Sequence, residues 1–223
     1  MNVTEALEKR ISVRAFQDIP VSEADIREIL RVASRAPSGG NLQPWKVHVV
    51  IGDARKRFLD TIDACFATSA LGEQPQISVY PPKLGEPYRT RRFEVGNEMY
   101  EKLGIPREDK AARLTWFRNN FRFFGAPAGL FFSIDKQFDR GQWAHLGMFM
   151  QSIALAAHER GFGTCMQECW SICVETISEF LNLNDDEQFY CGMALGVPDT
   201  AAPVNQLRTS RAEIHDFTTF IKE

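Results

Sequence analysis

The chain has 223 residues, of which 44% are hydrophobic and 25% are charged, as is usual for a globular protein that buries a sizeable core. Its formal net charge of −3 predicts no general attraction to nucleic acid or to an anionic membrane. No apolar run approaches the roughly 20 residues that span a bilayer, and the acidic residues 1–9 lack the apolar core of a signal peptide. We therefore expect a cytoplasmic protein that binds neither nucleic acid nor membrane.

The five cysteines are an odd number, which favours reduced thiols over a disulfide framework. Cys165, Cys169 and Cys173 are spaced four apart and would share one face if they lay on a helix. The spacing is not Cys-x-x-Cys, so buried small side chains are favoured over a metal site.

The first 71 residues predict three helices, a loop and a strand. Ser22 is a good N-cap for a helix whose apolar residues recur at helical spacing, and Pro37 disfavours helix at its predecessor. In chain order we expect helix 3–9, a helix from Ser22 that ends before Pro37, loop 37–41, strand 46–51, and a helix capped by Asp53 that runs to about residue 71.

The remaining chain predicts a single domain, 1–223, with a helical lid inserted at 72–124. Prolines exclude a regular element from 72–87. Few strands alternate with helices, so the fold class is α+β, with one central mixed sheet flanked by helices. The expected elements are helices 88–103 and 107–124, strand 128–134, a buried helix 141–160 ended by Gly161, a strand that begins at 163–166, helix 174–181, strand 189–197, and a last short helix or strand near 214–221.

A basic segment near the N-terminus has the chemistry of a phosphate site. Arg10, Ser12 and Arg14 alternate with apolar residues, so in an extended segment they share one face. Two guanidinium groups and a hydroxyl suit a phosphate monoester, although a solvated edge strand would show the same alternation. Arg208 and Arg211 supply two more guanidinium groups near the other end, or simply form a polar tail.

The loop at 37–45 is suited to a flat ligand. Gly39 and Gly40 permit a close approach of the backbone, and Ser38, Asn41 and Gln43 offer hydrogen-bonding groups for the rim of a flavin. Trp45 is assigned to the core.

Five motifs in this order resemble the FMN-dependent nitroreductase family. They are Arg10-x-Ser-x-Arg14, Pro37-Ser-x-x-Asn-x-Gln-Pro-Trp45, Gly161-Phe-Gly163, Gly196-Val-Pro198 and Arg208-x-x-Arg211. The stretches 142–143 and 167–170 resemble its nitrobenzoate reductase-like branch. The resemblance implies a nitroreductase-like fold and an intertwined homodimer with two FMN sites at the subunit interface.

The same resemblance implies roles for particular residues. Many family members have Pro and Gly where this chain has Met166 and Cys169, which is a departure from the pattern. Asn120 and Arg122 match a pair at the pyrimidine edge of the flavin, or are polar residues of a lid helix. The implied FMN-binding residues are Arg10, Ser12, Arg14, Arg208 and Arg211 at the phosphate, Ser38, Gly39 and Asn41 from the second subunit, and Asn120, Arg122, Met166, Gln167 and Glu168 at the ring.

The implied reaction is ping-pong. NADH or NADPH reduces FMN and leaves, and a small aromatic nitro compound or quinone then binds at the same face of the flavin and is reduced. The chemistry belongs to the cofactor, with the backbone near Glu168 beside the hydride-accepting atom, so no catalytic side chain is predicted. The motif Gly-x-Gly-x-x-Gly is absent, so the reductant would bind over the flavin.

Lid residues are candidates for selecting the acceptor. Three arginines would favour a carboxylated aromatic, or would form a solvated basic helix face. The candidates are Tyr88, Arg89, Arg91, Arg92, Phe93, Trp116, Phe121, Phe123 and Phe124.

Two alternatives remain at this point. The same flavin could carry out reductive dehalogenation, ene reduction or flavin destruction; iodotyrosine deiodinase-like proteins share the Pro-Ser-Gly loop. The protein could also be a flavin carrier or a redox sensor with no enzymatic activity.

Overall fold

A four-stranded sheet with helices on both faces forms the centre of the protein. The computed structural model describes residues 1–222, and its strands are β1 (Trp45–Ile51), β2 (Ala128–Asp135), β3 (Gly163–Gln167) and β4 (Glu187–Gly196). They lie in the order β1-β2-β4-β3, and each neighbouring pair is antiparallel. The helices are α1 (Val3–Lys9), α2 (Glu23–Ala33), α3 (Gly52–Thr68), α4 (Tyr88–Lys102), α5 (Lys110–Phe117), α6 (Arg140–Glu159), α7 (Val174–Leu181) and α8 (Ile214–Phe217).

The predicted α+β class is confirmed, and the predicted elements up to residue 51 and beyond 128 lie close to the observed ones. The sheet pairing is more uniform than a mixed sheet implies, because all three strand ladders are antiparallel. The parallel contact is an isolated bridge between Ser12 and Thr164 at the β3 edge. This bridge places the basic N-terminal segment directly beside β3.

The central strand β2 is apolar on both faces because each face packs against helices. Phe132 lies in the core layer with α2 and α6, where it contacts Phe149, whereas Phe131 faces the layer with α3 and α7. In that second layer the Trp170 ring lies 5.4 Å from Phe131 and is fully buried. The alternation of side chains along a strand thus divides the core into two layers.

The predicted helix 107–124 is interrupted. Asp109 caps α5, which ends at Phe117, and a 3-10 segment then runs from Arg118 to Gly125. Phe123 and Phe124 have φ of 53° and 52°, because the chain turns there to insert Phe123 into the second core layer. Burial of aromatic area outweighs the cost of a left-handed backbone.

One smaller prediction is wrong for a local reason. Asp53 is not the N-cap of α3, since the helix begins at Gly52 and the Asp53 carboxylate bonds Lys56 at 2.9 Å within the first turn. The three spaced cysteines lie on β3 and in the 3-10 segment that follows it, where Cys165 and Cys173 are buried, as predicted, and Cys169 is partly buried.

None of the residues of the long helix α4 is buried, as is also the case for α1, α5 and α8. Helix α4 follows residues 69–87, which form no regular element, and it packs mainly on the 3-10 segment Pro203–Gln206. No helix within residues 1–222 has both the length and the apolarity needed to cross a bilayer.

Candidate active site

Asn205 joins the two ends of the chain. Its buried side chain accepts a hydrogen bond from Arg14 N at 2.8 Å and donates to the carbonyl of Ala15 at 2.8 Å. The Val13 amide donates to the carbonyl of Thr164 on β3 at 2.9 Å. The N-terminal segment is therefore held extended between β3 and the C-terminal residues.

Gly163 permits this close approach. A Cβ atom at position 163 would lie 2.5 Å from Val13 Cγ2, so no larger residue fits without moving the N-terminal segment. In the Gly161-Phe-Gly163 motif, packing against Val13 thus requires glycine at position 163. Glycine at position 161 ends the helix, because its φ is 79°.

Four arginines converge on one cavity of about 520 Å³, which we call the arginine cavity. It is lined by Leu7, Glu8, Arg10, Ile11, Ser12, Arg14, Val95, Leu207, Arg208, Thr209 and Arg211. Within residues 1–222, none of its four guanidinium groups has a carboxylate within 4.0 Å. The sequence-predicted residues at the two ends of the chain are thus brought together.

Arg10 is the one of these four arginines that has a buried, unbonded nitrogen. Its Nε atom is buried and has no hydrogen-bond partner. Burial lowers the pKa of Arg10, and the nearby Arg211 lowers it further. Buried donors in native proteins are normally bonded, so this arrangement is suited to an anion that enters the cavity.

A second cavity of about 670 Å³ adjoins the first, and we call it the ring cavity. The two share the lining residues Arg14, Val95 and Leu207, so they are neighbouring parts of one site. The wall of the ring cavity is rich in aromatic and sulfur-containing side chains. The lining includes Tyr80, Arg92, Gly96, Met99, Tyr100, Trp116, Phe117, Asn120, Phe124, Met150, Met166, Gln167, Glu168, Cys169 and Tyr190.

The predicted ring residues lie where β3 passes into its following 3-10 segment. Met166 is exposed at the cavity, whereas Gln167 is buried, with Nε2 donating to the carbonyl of Asn120 at 2.7 Å. Gln167 Oε1 accepts from Trp170 Nε1 at 3.3 Å. The side chain of Gln167 is therefore occupied in fixing Asn120 and the floor of the cavity.

Glu168 and Tyr190 form a polar pair in the wall of the ring cavity. The Tyr190 hydroxyl donates to Glu168 Oε1 at 3.0 Å. Burial raises the pKa of Tyr190, and the Glu168 carboxylate adds to the effect, so the hydroxyl stays protonated at neutral pH. Sequence reasoning missed Tyr190 because it lies on a strand that reads as apolar core.

The loop residues Ser38, Gly39 and Asn41 line neither cavity of this chain. The loop is nevertheless well defined: the Gly39 amide donates to His145 Nε2 at 3.2 Å. Gly40 has φ of 60° and Asn41 has φ of 55°, in the left-handed region that glycine and asparagine tolerate best. The loop is thus exposed, anchored to α6 through His145, and outside both cavities.

The structure does not bring Arg122 to the ring cavity. Its guanidinium bonds both carboxylate oxygens of Asp63 at 2.6 Å on an exposed surface. Among the lid candidates, Phe121 and Phe123 lie in the core, whereas Arg92, Trp116 and Phe124 line the ring cavity.

Asn205 and Tyr80 were also missed. Asn205 lies 191 positions from its partner Arg14, and no local pattern marks such a contact. Tyr80 lies in a proline-rich segment with no periodicity, although clusters of aromatic residues beside arginine are a usable signal.

Comparison with known proteins identifies the class. The sequence model of the nitroreductase family matches residues 7–197. A nitrobenzene nitroreductase from Ectopseudomonas oleovorans is 37% identical over 221 residues, 99% of this chain and 97% of the relative. A 4-nitrobenzoate reductase from Pseudomonas putida is 36% identical over 212 residues, 95% of this chain and 92% of the relative.

Solved structures agree with this result. The FMN and NADPH-dependent nitroreductase NfnB from Sphigopyxis sp. strain HMH is 40% identical and superposes with a TM-score of 0.96 over 100% of both chains. The FMN-dependent nitroreductase NfnB from Mycobacterium smegmatis, solved with NADPH, gives a TM-score of 0.91 at 26% identity, over 98% of this chain and 97% of that one. The fold is nitroreductase-like. The chain belongs to the nitroreductase family, as its motifs predict.

Proposed function

We propose that this protein is an FMN-dependent oxidoreductase that uses NADPH or NADH to reduce nitroaromatic or quinone-like acceptors. The observation that carries the proposal is the arginine cavity. It is lined by four cations without carboxylate partners, and it adjoins the ring cavity. FMN has the matching shape and charge: a phosphate dianion joined by a short chain to a flat ring system. Relatives that are similar over almost the whole chain are named as FMN and NADPH-dependent nitroreductases.

The residues present fit the phosphate end of FMN. Arg10, whose Nε is unpartnered, lines the arginine cavity together with Ser12 and Arg211. Charge-assisted bonds to a dianion would satisfy the buried donor and relieve the repulsion between Arg10 and Arg211. In this proposal the phosphate is held by Arg10, Ser12, Arg14, Arg208 and Arg211.

The ring end is assigned to the ring cavity. Met166, Gln167 and Glu168 form its floor, and Asn120 is fixed beside them by Gln167. Bound FMN supplies acceptance and delivery of a hydride, while the protein orients the substrates and excludes water. Trp116 and Phe124 provide the apolar wall for that purpose. Arg122 is left out of the proposed set because it pairs with Asp63.

We also propose a homodimer in which Ser38, Gly39 and Asn41 complete the site of the partner subunit. Their loop is exposed and lies outside both cavities of its own chain. Phe217 and Ile221 near the C-terminus are 69% and 95% exposed, which is a high exposure for large apolar side chains. Contact with a second copy would bury them.

The chain is proposed to be one domain, in which α4 and α5 form a lid over the ring cavity. Neither helix has a buried residue, and both line that cavity. A cytoplasmic location belongs to the same proposal, since all five cysteines are free thiols and a reducing compartment would keep them so.

The purified protein tests this function directly. We expect a yellow protein that releases FMN on denaturation and oxidises NADPH in the presence of nitrobenzene. Because reductant and acceptor would occupy the same cavity in turn, double-reciprocal plots should give parallel lines. Halogenated phenols and enones serve as control acceptors. A colourless protein that gains no NADPH oxidation on addition of FMN would contradict the proposal.

A further inference from the structure

A basic groove of about 660 Å³ lies along α4 and shares no lining residue with the arginine cavity. We call it the outer groove. Its lining includes four cations and no acidic residue: Pro81, Pro82, Lys83, Leu84, Arg89, Arg92, Phe93, Gly96, Asn97, Tyr100 and Arg113. In a chain with a net charge of −3, this is a local concentration of positive charge outside the proposed phosphate site of FMN.

Three of the four cations are free of carboxylates. Arg89 pairs with Glu86 at 2.6 Å, but Lys83, Arg92 and Arg113 have no salt bridge to any residue in the part of the chain that the structure describes. Cations held close together without carboxylate partners repel one another, and this repulsion raises the free energy of the folded protein. An anionic ligand would remove that cost.

Aromatic rings hold two of these guanidinium groups in place. Arg92 lies over the ring of Tyr80, 4.0 Å from its centroid, and Arg113 lies over the ring of Tyr100 at 4.2 Å. Arg113 Nε also donates to the carbonyl of Pro106 at 3.1 Å. Stacking fixes the plane of a guanidinium and leaves its outer N–H groups available, so the terminal nitrogens are preorganised for phosphate oxygens.

The outer groove is continuous with the ring cavity. Arg92, Gly96 and Tyr100 line both, and they recur every four residues along one side of α4, over about 12 Å of helix. A Cβ atom added at Gly96 would meet nothing within 4 Å, so the passage beside this residue is open. A ligand could therefore have one end in the ring cavity and the other in the outer groove.

We propose that the outer groove binds the phosphorylated adenosine end of the pyridine dinucleotide, while its nicotinamide end enters the ring cavity. This inference rests on the proposed function, because it concerns the reductant of that reaction. The 2′-phosphate adds a dianion that Lys83 and Arg113 are placed to meet, so NADPH is favoured over NADH. The binding is electrostatic and needs no dinucleotide-binding glycine motif.

The test is the variant K83Q/R113Q, which removes two charges that lie outside the ring cavity. We expect the KM for NADPH to rise about 10-fold and that for NADH to rise less, with kcat retained. Reduced nicotinamide mononucleotide, which lacks the adenosine end, should keep its KM. The matched control is K102Q/K110Q, which removes two charges from α4 and α5 outside the ring cavity and the outer groove and should change none of these values.

Binding provides a readout that is independent of turnover. Calorimetry with adenosine 2′,5′-bisphosphate should show binding to the FMN-loaded wild type that weakens about 10-fold in K83Q/R113Q. The single variant K83Q keeps the stacking of Arg113 on Tyr100 and should show an intermediate loss, which guards against a misfolded double variant.

Three results would overturn the inference. The first is a KM for NADPH in K83Q/R113Q that stays within twofold of the wild-type value. The second is a KM for reduced nicotinamide mononucleotide that rises as much as the KM for NADPH. The third is a KM for 4-nitrobenzoate that rises more than the KM for nitrobenzene, which would assign the outer groove to the acceptor. If the wild type carries FMN but does not oxidise NADPH, the proposed function fails, and the bisphosphate titration still decides whether the outer groove binds this anion.

Discussion

Asn205 shows how a single side chain organises a site that lies at both ends of a chain. It bonds the Arg14 amide and the Ala15 carbonyl, and it donates to the carbonyl of Asp199 at 2.8 Å. Three bonds from one buried amide fix the distance between the N-terminal and C-terminal arginines. The arginines can repel one another without separating, because backbone geometry rather than side-chain pairing holds them.

The arginine cavity makes a prediction about cofactor retention. Replacing both Arg10 and Arg14 with Ala removes two charge-assisted phosphate contacts, each worth about 1.5–3 kcal/mol. We expect at least a 100-fold loss of FMN affinity and a colourless protein after purification. Absorbance of the purified protein and FMN titration by fluorescence measure this.

Arg27→Ala is the control, because Arg27 pairs with Glu23 on the exposed side of α2 and lines neither cavity. This control should purify with full flavin. If the Arg10 and Arg14 double variant also retains full flavin with normal affinity, the phosphate assignment is wrong.

Arg10, Ser12 and Arg211 line one cavity, as the chemistry of their segments and the family pattern together indicate, and their role at the FMN phosphate stays a prediction. Contacts made by side chains with no distinctive pattern could not be predicted from the sequence. Arg122 shows the limit: its sequence context matched a cofactor residue, but Asp63, 59 positions away, engages it. Competition between partners is settled only by the fold.

Among the elements, β4 is tied to β1 and β2 by one buried carboxylate. Glu187, at the start of β4, accepts hydrogen bonds from Ser133 Oγ at 2.6 Å and Asn184 Nδ2 at 2.9 Å, and it pairs with Lys46 at 3.2 Å. Burial by itself would raise the pKa of Glu187, but hydrogen bonds from Ser133, Lys46 and His48 lower it to about 2. The ionised form is therefore the one that the native sheet stabilises.

This carboxylate predicts a pH-dependent stability. Because the folded pKa lies below the unfolded value, the stabilisation is present above about pH 4.5 and is lost as pH falls towards 2. A shift of this size corresponds to about 3 kcal/mol. Glu187→Gln should lower the free energy of unfolding by that order at pH 7, with the deficit shrinking below pH 4.5, as measured by urea unfolding.

Glu179→Gln, on the exposed side of α7, is the matched control and should change stability by less than about 0.5 kcal/mol at any pH. A deficit in Glu187→Gln that stays constant from pH 7 to pH 3 would contradict the account, because the cost would then come from packing alone.

Elements with a strong repeating pattern were predictable: α2, with its Ser22 cap, and the β-branched strand β1 lie where their sequences indicate. The 3-10 segment Arg118–Gly125 was not, since its residues have the composition of a helix. Its backbone is set by Phe121 and Phe123, which must reach the Trp170 cluster, and such a tertiary demand overrides local propensity.

For the whole molecule, exposed apolar area near the C-terminus predicts assembly. Phe217 and Phe220 are 69% and 72% exposed. Replacing both with Asp should weaken the proposed homodimer, since each would place a charge in a buried contact. We expect sedimentation equilibrium to show a monomer and the flavin content to fall, because Ser38 and Gly39 would no longer reach the partner's site.

The control is Leu71→Asp, at an apolar side chain that is 87% exposed in the segment before α4. It should leave assembly unchanged. A wild type that sediments as a fully active monomer would defeat the shared-site proposal, whatever the behaviour of the variants.

The composition of α4 has a consequence for how new activities arise. None of its 15 residues is buried, yet it forms a wall of the ring cavity and the outer groove. Substitutions at exposed positions usually change stability by less than about 0.5 kcal/mol. Acceptor preference can thus diverge along α4 while the sheet and the arginine cavity are inherited intact. Libraries randomised at Arg92 and Met99, which line the ring cavity but not the arginine cavity, should retain a high proportion of folded, flavin-loaded members.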